Sequence, residues 1–235
     1  MDKKLRTVQL QCLRVFTEKA KTFALAGGTA LELYYLHHRF SADLDFFSPV
    51  YDLKEIGTLV RAFAKQVGPI KLESELTVAE KAKVRFYSLF AKGLSRPLKI
   101  DFVEDVLFDK PQVKKIKGVR VYSAKSIYLQ KLVAICGLNP ELDAIGREIS
   151  RGRNAARDVF DLYWLSQKIE PLHRFLLRVS KTLQRGMVHW YRSFAREELK
   201  LALMDLDIYD KKFGPKAMVV YLEREIKKFI GEVIA

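Results

Sequence analysis

Residues 24–47 read ALAGGTALELYYLHHRFSADLDFF, and this stretch decides what the chain can be. A short apolar strand over 22–26 runs into Gly27-Gly28. Thr29 then opens a helix that reaches about His38, with Ala30, Leu33 and Tyr34 on one face. A second apolar run, DLDFF (43–47), carries aspartates at 43 and 45. Residues two apart on a strand point to the same side, so Asp43 and Asp45 project together. Two carboxylates held so close repel unless a cation lies between them or one takes up a proton. Leu44, Phe46 and Phe47 anchor the strand, so the pair cannot turn away. An all-oxygen pair of this kind fits a divalent ion, magnesium first and manganese as the substitute. The glycines supply a complementary element. Backbone N–H groups at a strand-to-helix turn attract phosphate, no side chain blocks the approach, and Thr29 adds a hydroxyl. A phosphate-binding turn followed by a metal-binding pair is the equipment of nucleotidyl transfer, since one element holds a triphosphate and the other places metal at its α-phosphate.

The rest of the chain is consistent with a partner of that kind. It has 235 residues, 49% of them hydrophobic, enough for a substantial core. The net charge of +14 favours polyanions such as nucleotides and nucleic acid. Cys12 and Cys136 have no neighbours at zinc spacing, which excludes a disulfide scaffold and suits a reducing cytoplasm. The basic N-terminus is interrupted by Gln9, Gln11 and Arg14 and does not read as a signal peptide. No run of about 20 apolar residues is present, so a soluble protein without membrane partners is expected.

Periodicity predicts helices over 2–20 and 52–66, the latter capped by Asp52, and strands over 70–76, 82–90 and 98–105. The strand IKLESEL (70–76) alternates clearly. Beyond about residue 121 the pattern becomes helical, over 123–136 (capped by Ser123), 153–167, 171–184, 187–205 and 215–234. The expected fold is therefore α+β, with a mixed sheet and flanking helices over 1–120 and a helical bundle over 121–235 that closes a ligand cleft.

The pattern LAGGTALEL…HHRFSADLDFF resembles the AbiEii/AbiGii toxin family, a branch of the minimal nucleotidyltransferases of the DNA polymerase β-like superfamily. There GGTAL, HR and S-x-DLDFF recur together. The resemblance implies a nucleotidyltransferase-like sheet and a third carboxylate on a later strand. LKIDFVED (98–105) offers Asp101, a charge flanked by Ile100 and Phe102 that is costly to bury without a partner. Asp101 is thereby a third metal ligand and a candidate base for the attacking hydroxyl, while a pairing with Lys99 on the same face is the plainer alternative. Two later segments, SIYLQKLVAI and RNAARDVFDLYWL, resemble the family's helical motifs. They imply Lys131 and Asp158 as catalytic residues and, less firmly, Arg157 and Asp161, with Lys131 on the triphosphate and Asp158 either orienting Lys131 or contacting the nucleotide. A helix-surface salt bridge with Arg157 or Arg153 is the plainer alternative for the two aspartates. Gly27, Gly28, Thr29, Arg39 and Lys131 are the implied nucleotide-binding set.

The expected reaction moves a nucleoside monophosphate from an NTP to an acceptor hydroxyl and releases pyrophosphate. The family implies the toxin of a toxin–antitoxin pair, hence a cognate antitoxin partner, and RNA, notably the tRNA 3′ end, as acceptor. The basic stretch KPQVKKIKGVR (110–120) and the C-terminal helices would track its backbone. Trp190 and Tyr191 could stack bases, although core packing is the simpler reading. The rival readings are transfer to a protein or small molecule, and a non-catalytic nucleotide- or RNA-binding module. His37 and His38 are not a metal pair, since neighbours on a helix point about 100° apart, and His38 and Arg39 would buttress the aspartate strand or touch substrate. His173 and His189 read as structural.

Overall fold

The computed structural model describes residues 2–77, 82–137, 141–142, 148–149, 152–153 and 155–234. The chain forms two compact units. One comprises Met1–Tyr35 and Phe40–Ser126, and the other Leu36–Arg39 and Ile127–Ala235. The boundary falls inside a helix, and four residues from the N-terminal half belong with the C-terminal unit.

The first unit is built on a seven-stranded sheet. Its strands are β1 (Ala24–Ala26), β2 (Leu44–Ser48), β3 (Ile70–Leu76), β4 (Val84–Leu89), β5 (Leu98–Glu104), β6 (Val113–Ile116) and β7 (Val119–Tyr122), in the order β3-β4-β5-β2-β1-β7-β6. β2 runs parallel to β5 and β1 parallel to β7, while the other neighbours are antiparallel. The sheet is mixed, in agreement with the α+β expectation. Period-two alternation decides its faces. Leu44 and Phe46 of β2 and Leu98, Ile100 and Phe102 of β5 are buried, whereas Asp45, Phe47, Asp101 and Val103 are half-exposed and Lys99 is exposed. Helix α1 (Lys3–Lys19) contacts β5, β7 and α3 (Leu53–Gln66). Phe16 stacks on Phe46 at 4.1 Å between centroids, and Phe46 stacks on Phe102 at 5.5 Å. The Asp2 and Asp52 carboxylates cap these helices by accepting from the backbone N–H groups of Leu5 and Lys54. Glu55 of α3 accepts from the backbone N–H groups of Lys21 and Thr22 at 2.7 and 3.1 Å, fixing the approach to β1.

One local expectation needs correction. The helix after β1 begins at Gly27, not Thr29. It runs as α2 (Gly27–Leu31), widens into a π-helical turn over Glu32–Leu36, and ends before His37, whose φ of 47° breaks the helix. The alternating strand expected over 70–76 is present as β3, which lies at the sheet edge with Leu72 and Leu76 43% and 50% exposed. The basic stretch 110–120 contains a β-hairpin, β6–β7, turned at Lys117-Gly118 with φ of 49° and 85°. Lys114 and Lys115 stand exposed on its outer strand.

α4 (Ala124–Cys136), capped by Ser123, spans the boundary between the units. Two short strands, β8 (Glu141–Leu142) and β9 (Glu148–Ile149), pair antiparallel. The helical unit then comprises α5 (Ala156–Lys168), α6 (Leu172–Leu176), α7 (Lys181–Ser193), α8 (Arg196–Leu203) and α9 (Pro215–Ile234). α9 contacts α5, α6, α7 and α8. The sequence breaks fall elsewhere than expected. Gly186 lies inside α7, where a side chain would meet Cys136, with Cβ atoms 3.0 Å apart. The real break comes before Ser180, which caps α7. Trp190 is buried and stacks on Phe194 at 4.5 Å. His173 is buried against Glu225 at 2.6 Å, while His189 is exposed. No helix among the described residues is long and apolar enough to cross a membrane.

Candidate active site

The parallel pairing of β2 with β5 sets Asp45 opposite Asp101. Opposed residues on neighbouring strands share a face, so both carboxylates project from the side not covered by the Phe16–Phe46–Phe102 core. Asp43 stands two residues before Asp45, just ahead of the strand, and is also half-exposed. A set of buried polar side chains holds its loop. The Thr29 hydroxyl donates to the carbonyl oxygen of Asp43, Gln9 donates to that of Ser41 at 2.9 Å, and Glu32 accepts from the Ser41 N–H at 2.8 Å. Glu32 is in turn paired with Arg6. Thr29 is completely buried, so in this structure its hydroxyl serves the Asp43 loop. Glu32 and Gln9 carried no signal in the sequence, because Gln9 meets a backbone carbonyl across the fold and Glu32 joins the Ser41 N–H to the side chain of Arg6 on another helix.

Gly27 ties the turn to the acids. Its φ of 65° lies in the left-handed region, and a Cβ there would fall 2.2 Å from Asp45 Oδ2. The Asp45 carboxylate therefore packs directly against a glycine backbone, and no larger residue fits without moving it. Gly28 follows, buried, at the start of α2. Among the described residues, no three His, Cys, Asp or Glu side chains are gathered as a metal-binding group. The Asp45–Asp101 pairing and the all-oxygen character of the donors are what fit a hard divalent cation. Lys99 shares the face of Asp101, yet it makes no ion pair among the described residues.

The other predicted residues lie in the helical unit and meet one another there. Asp161 of α5 is their hub. It accepts from Arg39 Nε at 2.7 Å and Arg39 Nη2 at 2.8 Å, lies 2.8 Å from His38 Nε2, and pairs with Lys131 Nζ at 2.8 Å. Lys131 of α4 also reaches Asp158 Oδ1 at 2.6 Å, and Arg153 approaches Asp158 Oδ2 at 3.2 Å. Asp158 and Asp161 are fully buried, and Lys131 and Arg39 almost so. Burial alone would raise the Asp161 pKa, but Arg39, Lys131 and His38 outweigh it and hold the carboxyl well below the ordinary range. Burial would likewise lower the Lys131 pKa, and Asp161 and Asp158 reverse the direction, so its ammonium stays charged. Two acids and two cations balance, which is what makes burial of four charges tolerable. Asp161, ranked below Asp158 in the sequence, is the more connected. Arg157 is exposed on α5.

With this geometry in view, known proteins resolve the family. The description nucleotidyl transferase AbiEii toxin, type IV toxin–antitoxin system, matches residues 10–227. The chain belongs to the AbiEii nucleotidyltransferase toxin family. It is a nucleotidyltransferase, and the family is one of toxins. JHP933 from Helicobacter pylori superposes with a TM-score of 0.59 at 18% identity, covering 99% of this chain and 96% of that one. A second H. pylori protein, provisionally assigned as a nucleotidyltransferase, gives 0.60 at 18% identity, with 97% and 96% covered. At such identity these two speak for the fold alone. MenT4, a nucleotidyltransferase toxin of Mycobacterium tuberculosis H37Rv, covers 96% of this chain and 82% of its own at 16% identity. Its TM-score of 0.45 carries no argument. No curated protein is significantly similar in sequence.

Proposed function

We propose that this AbiEii-family enzyme is a divalent-metal-dependent toxin of a toxin–antitoxin pair that transfers a nucleoside monophosphate from an NTP to a hydroxyl of RNA in the cytoplasm, the tRNA 3′ end being the acceptor that the family suggests. The observation that carries the reading is the opposition of Asp45 and Asp101 on parallel strands, with Gly27 packed against the Asp45 carboxylate.

Asp43, Asp45 and Asp101 would hold magnesium, or manganese in its place. The ion, when bound, supplies charge neutralisation at the phosphates and a lowered pKa for a bound hydroxyl. Gly27 and Gly28 leave room for phosphate oxygens to approach backbone N–H groups. Thr29 shapes the same turn by holding the Asp43 loop. The acceptor oxygen forms a bond to the α-phosphorus while the bond to the bridging oxygen breaks, and its electron pair leaves with pyrophosphate. The hydroxyl proton passes to the Asp101 carboxylate. Lys131 and Arg39 are assigned to the triphosphate and Asp158 to orienting Lys131. These three enter from the family pattern alone, since Asp158 and Asp161 already account for the charged state of Lys131. The +14 charge is consistent with an RNA acceptor and weighs against a small neutral one.

The test is incubation of the Asp45→Asn variant with labelled NTPs, magnesium and total RNA, with circular dichroism as the fold control. Label transfer should vanish while the spectrum is retained. Parent-level transfer by a folded Asp45→Asn protein defeats the proposal.

A further inference from the structure

The sheet face that carries Asp45 and Asp101 extends past them across β5, β4 and β3. Asp101 lies opposite Phe86 of β4, and Phe86 lies opposite Ser74 of β3. Two residues earlier on β5 the same face holds Lys99, opposite Ser88, which is itself opposite Lys71. A single aromatic ring, that of Phe86, thus adjoins the carboxylates on this face, with a row holding two lysines beside it. Opposed Cβ atoms are roughly 5 Å apart, and a two-residue step along a strand is about 7 Å, so both fall within one nucleotide's reach of Asp101. Phe86 is half-exposed and makes no ring contact with another described aromatic. Lys99 is exposed and, among the described residues, has no ion-pair partner. Lys71 is exposed and pairs with Glu73 at 3.0 Å, a solvated contact that a phosphate can displace.

The strand order gives this surface a direction. Gly27 follows β1, on one flank of the carboxylate pair, and β4 lies on the other. In displacement at phosphorus, the attacking and leaving oxygens lie roughly in line on opposite sides. With pyrophosphate on the glycine flank, as in the reading above on which this step rests, the acceptor must arrive over β4. We infer that Phe86, Lys99 and Lys71 form the acceptor track. The Phe86 ring takes the face of the terminal base of a single-stranded RNA 3′ end, and the two ammonium groups hold the backbone phosphate behind it. Stacking on an aromatic platform flanked by cations is how single strands are held without reading their sequence.

The experiment is steady-state transfer to a short single-stranded RNA with a free 3′ hydroxyl, using all four labelled NTPs. Phe86→Ala, Phe86→Tyr and Lys99→Glu are compared, with Lys92→Glu, an exposed lysine in the turn between β4 and β5, as charge control. Phe86→Ala and Lys99→Glu should each raise KM for RNA about tenfold, while KM for NTP holds and Phe86→Tyr behaves as the parent. The Lys99→Glu effect should shrink as salt rises. A merely structural role for Phe86 would instead move both KM values and kcat together. Unchanged RNA KM in both variants, an equal rise in NTP KM, the same effect from Lys92→Glu, or a parent that labels no RNA each overturns the track. Asp45→Asn measured alongside separates the two claims, because its inactivity beside an active parent leaves the carboxylate reading standing when the track fails, whereas a parent that labels no RNA overturns both.

Discussion

Replacing Gly27 by alanine tests the link between the turn and the acids. A methyl group at this position would lie 2.2 Å from Asp45 Oδ2, about 1.2 Å short of the 3.4 Å at which ordinary contact begins. The φ of 65° adds its own cost, about 1–2 kcal/mol for a residue with a Cβ in the left-handed region. The backbone here is fixed by β1 and α2, so the Asp45 carboxylate has to move. A displacement of about 1 Å in a positioned group costs on the order of a hundredfold in rate. Gly27→Ala should therefore lose a few degrees of thermal stability and about a hundredfold in kcat. Gly118→Ala is the matched control. Its φ is 85° and its added methyl would meet Thr17 Cγ2 at 3.2 Å, so it bears similar backbone strain without touching a carboxylate. It should lose comparable stability and keep its kcat. The measurements are labelled-NTP turnover and a melting curve for each variant. Parent-like turnover by Gly27→Ala, or an equal kcat loss in Gly118→Ala, refutes the reasoning.

Further outcomes follow from the helical unit. Asp161→Asn leaves Lys131 and Arg39 buried with one carboxylate between them and should cost about 3–5 kcal/mol in denaturant unfolding, the range for breaking a buried ion pair. The folded-state pKa of Asp161 is depressed, so its contribution is present above the unfolded value of 3.8 and is lost as pH falls below it. Acid titration of stability should accordingly be shallower below about pH 4 in Asp161→Asn than in the parent. Lys131 has the opposite sign, with its share present below 10.5 and lost as pH rises past its raised folded value. Glycine-to-alanine exchange should change sign with position. At Gly231, where a Cβ meets nothing within 4 Å, it should stabilise by up to about 1 kcal/mol, whereas at Gly186 the contact with Cys136 should make it destabilising by about 1–3 kcal/mol.

Much of this was legible because period and composition report local geometry. Asp43 and Asp45 stood out as charges two apart in an apolar strand, and Asp101 as a lone charge between Ile100 and Phe102. That Asp101 faces Asp45 was not legible, since it depends on β5 pairing with β2 across more than fifty residues. The hairpin at 113–122 carried little period-two signal, because on its outer edge strand Val113 and Ile116 stand three apart with two lysines between them, and only Val119 and Val121 alternate. The helices expected over 171–184 and 187–205 left Gly186 in the gap between them, and the proximity of Cys136, invisible in the sequence, explains a glycine inside one continuous helix. Asp161 looked secondary to Asp158 because its ligands His38 and Arg39 lie more than 120 residues away.

The membership of Leu36–Arg39 in the helical unit has a bearing on how this family can recombine. A crossover at any single point in the gene that exchanges the C-terminal half would bring in a new residue 161 but retain the old His38 and Arg39, its two N-terminal partners. Chimeras between relatives should therefore keep their solubility only when a second, short exchange carries codons 36–39 along with the distal segment. Libraries shuffled at one junction should be depleted of folded members wherever the parents differ at these positions.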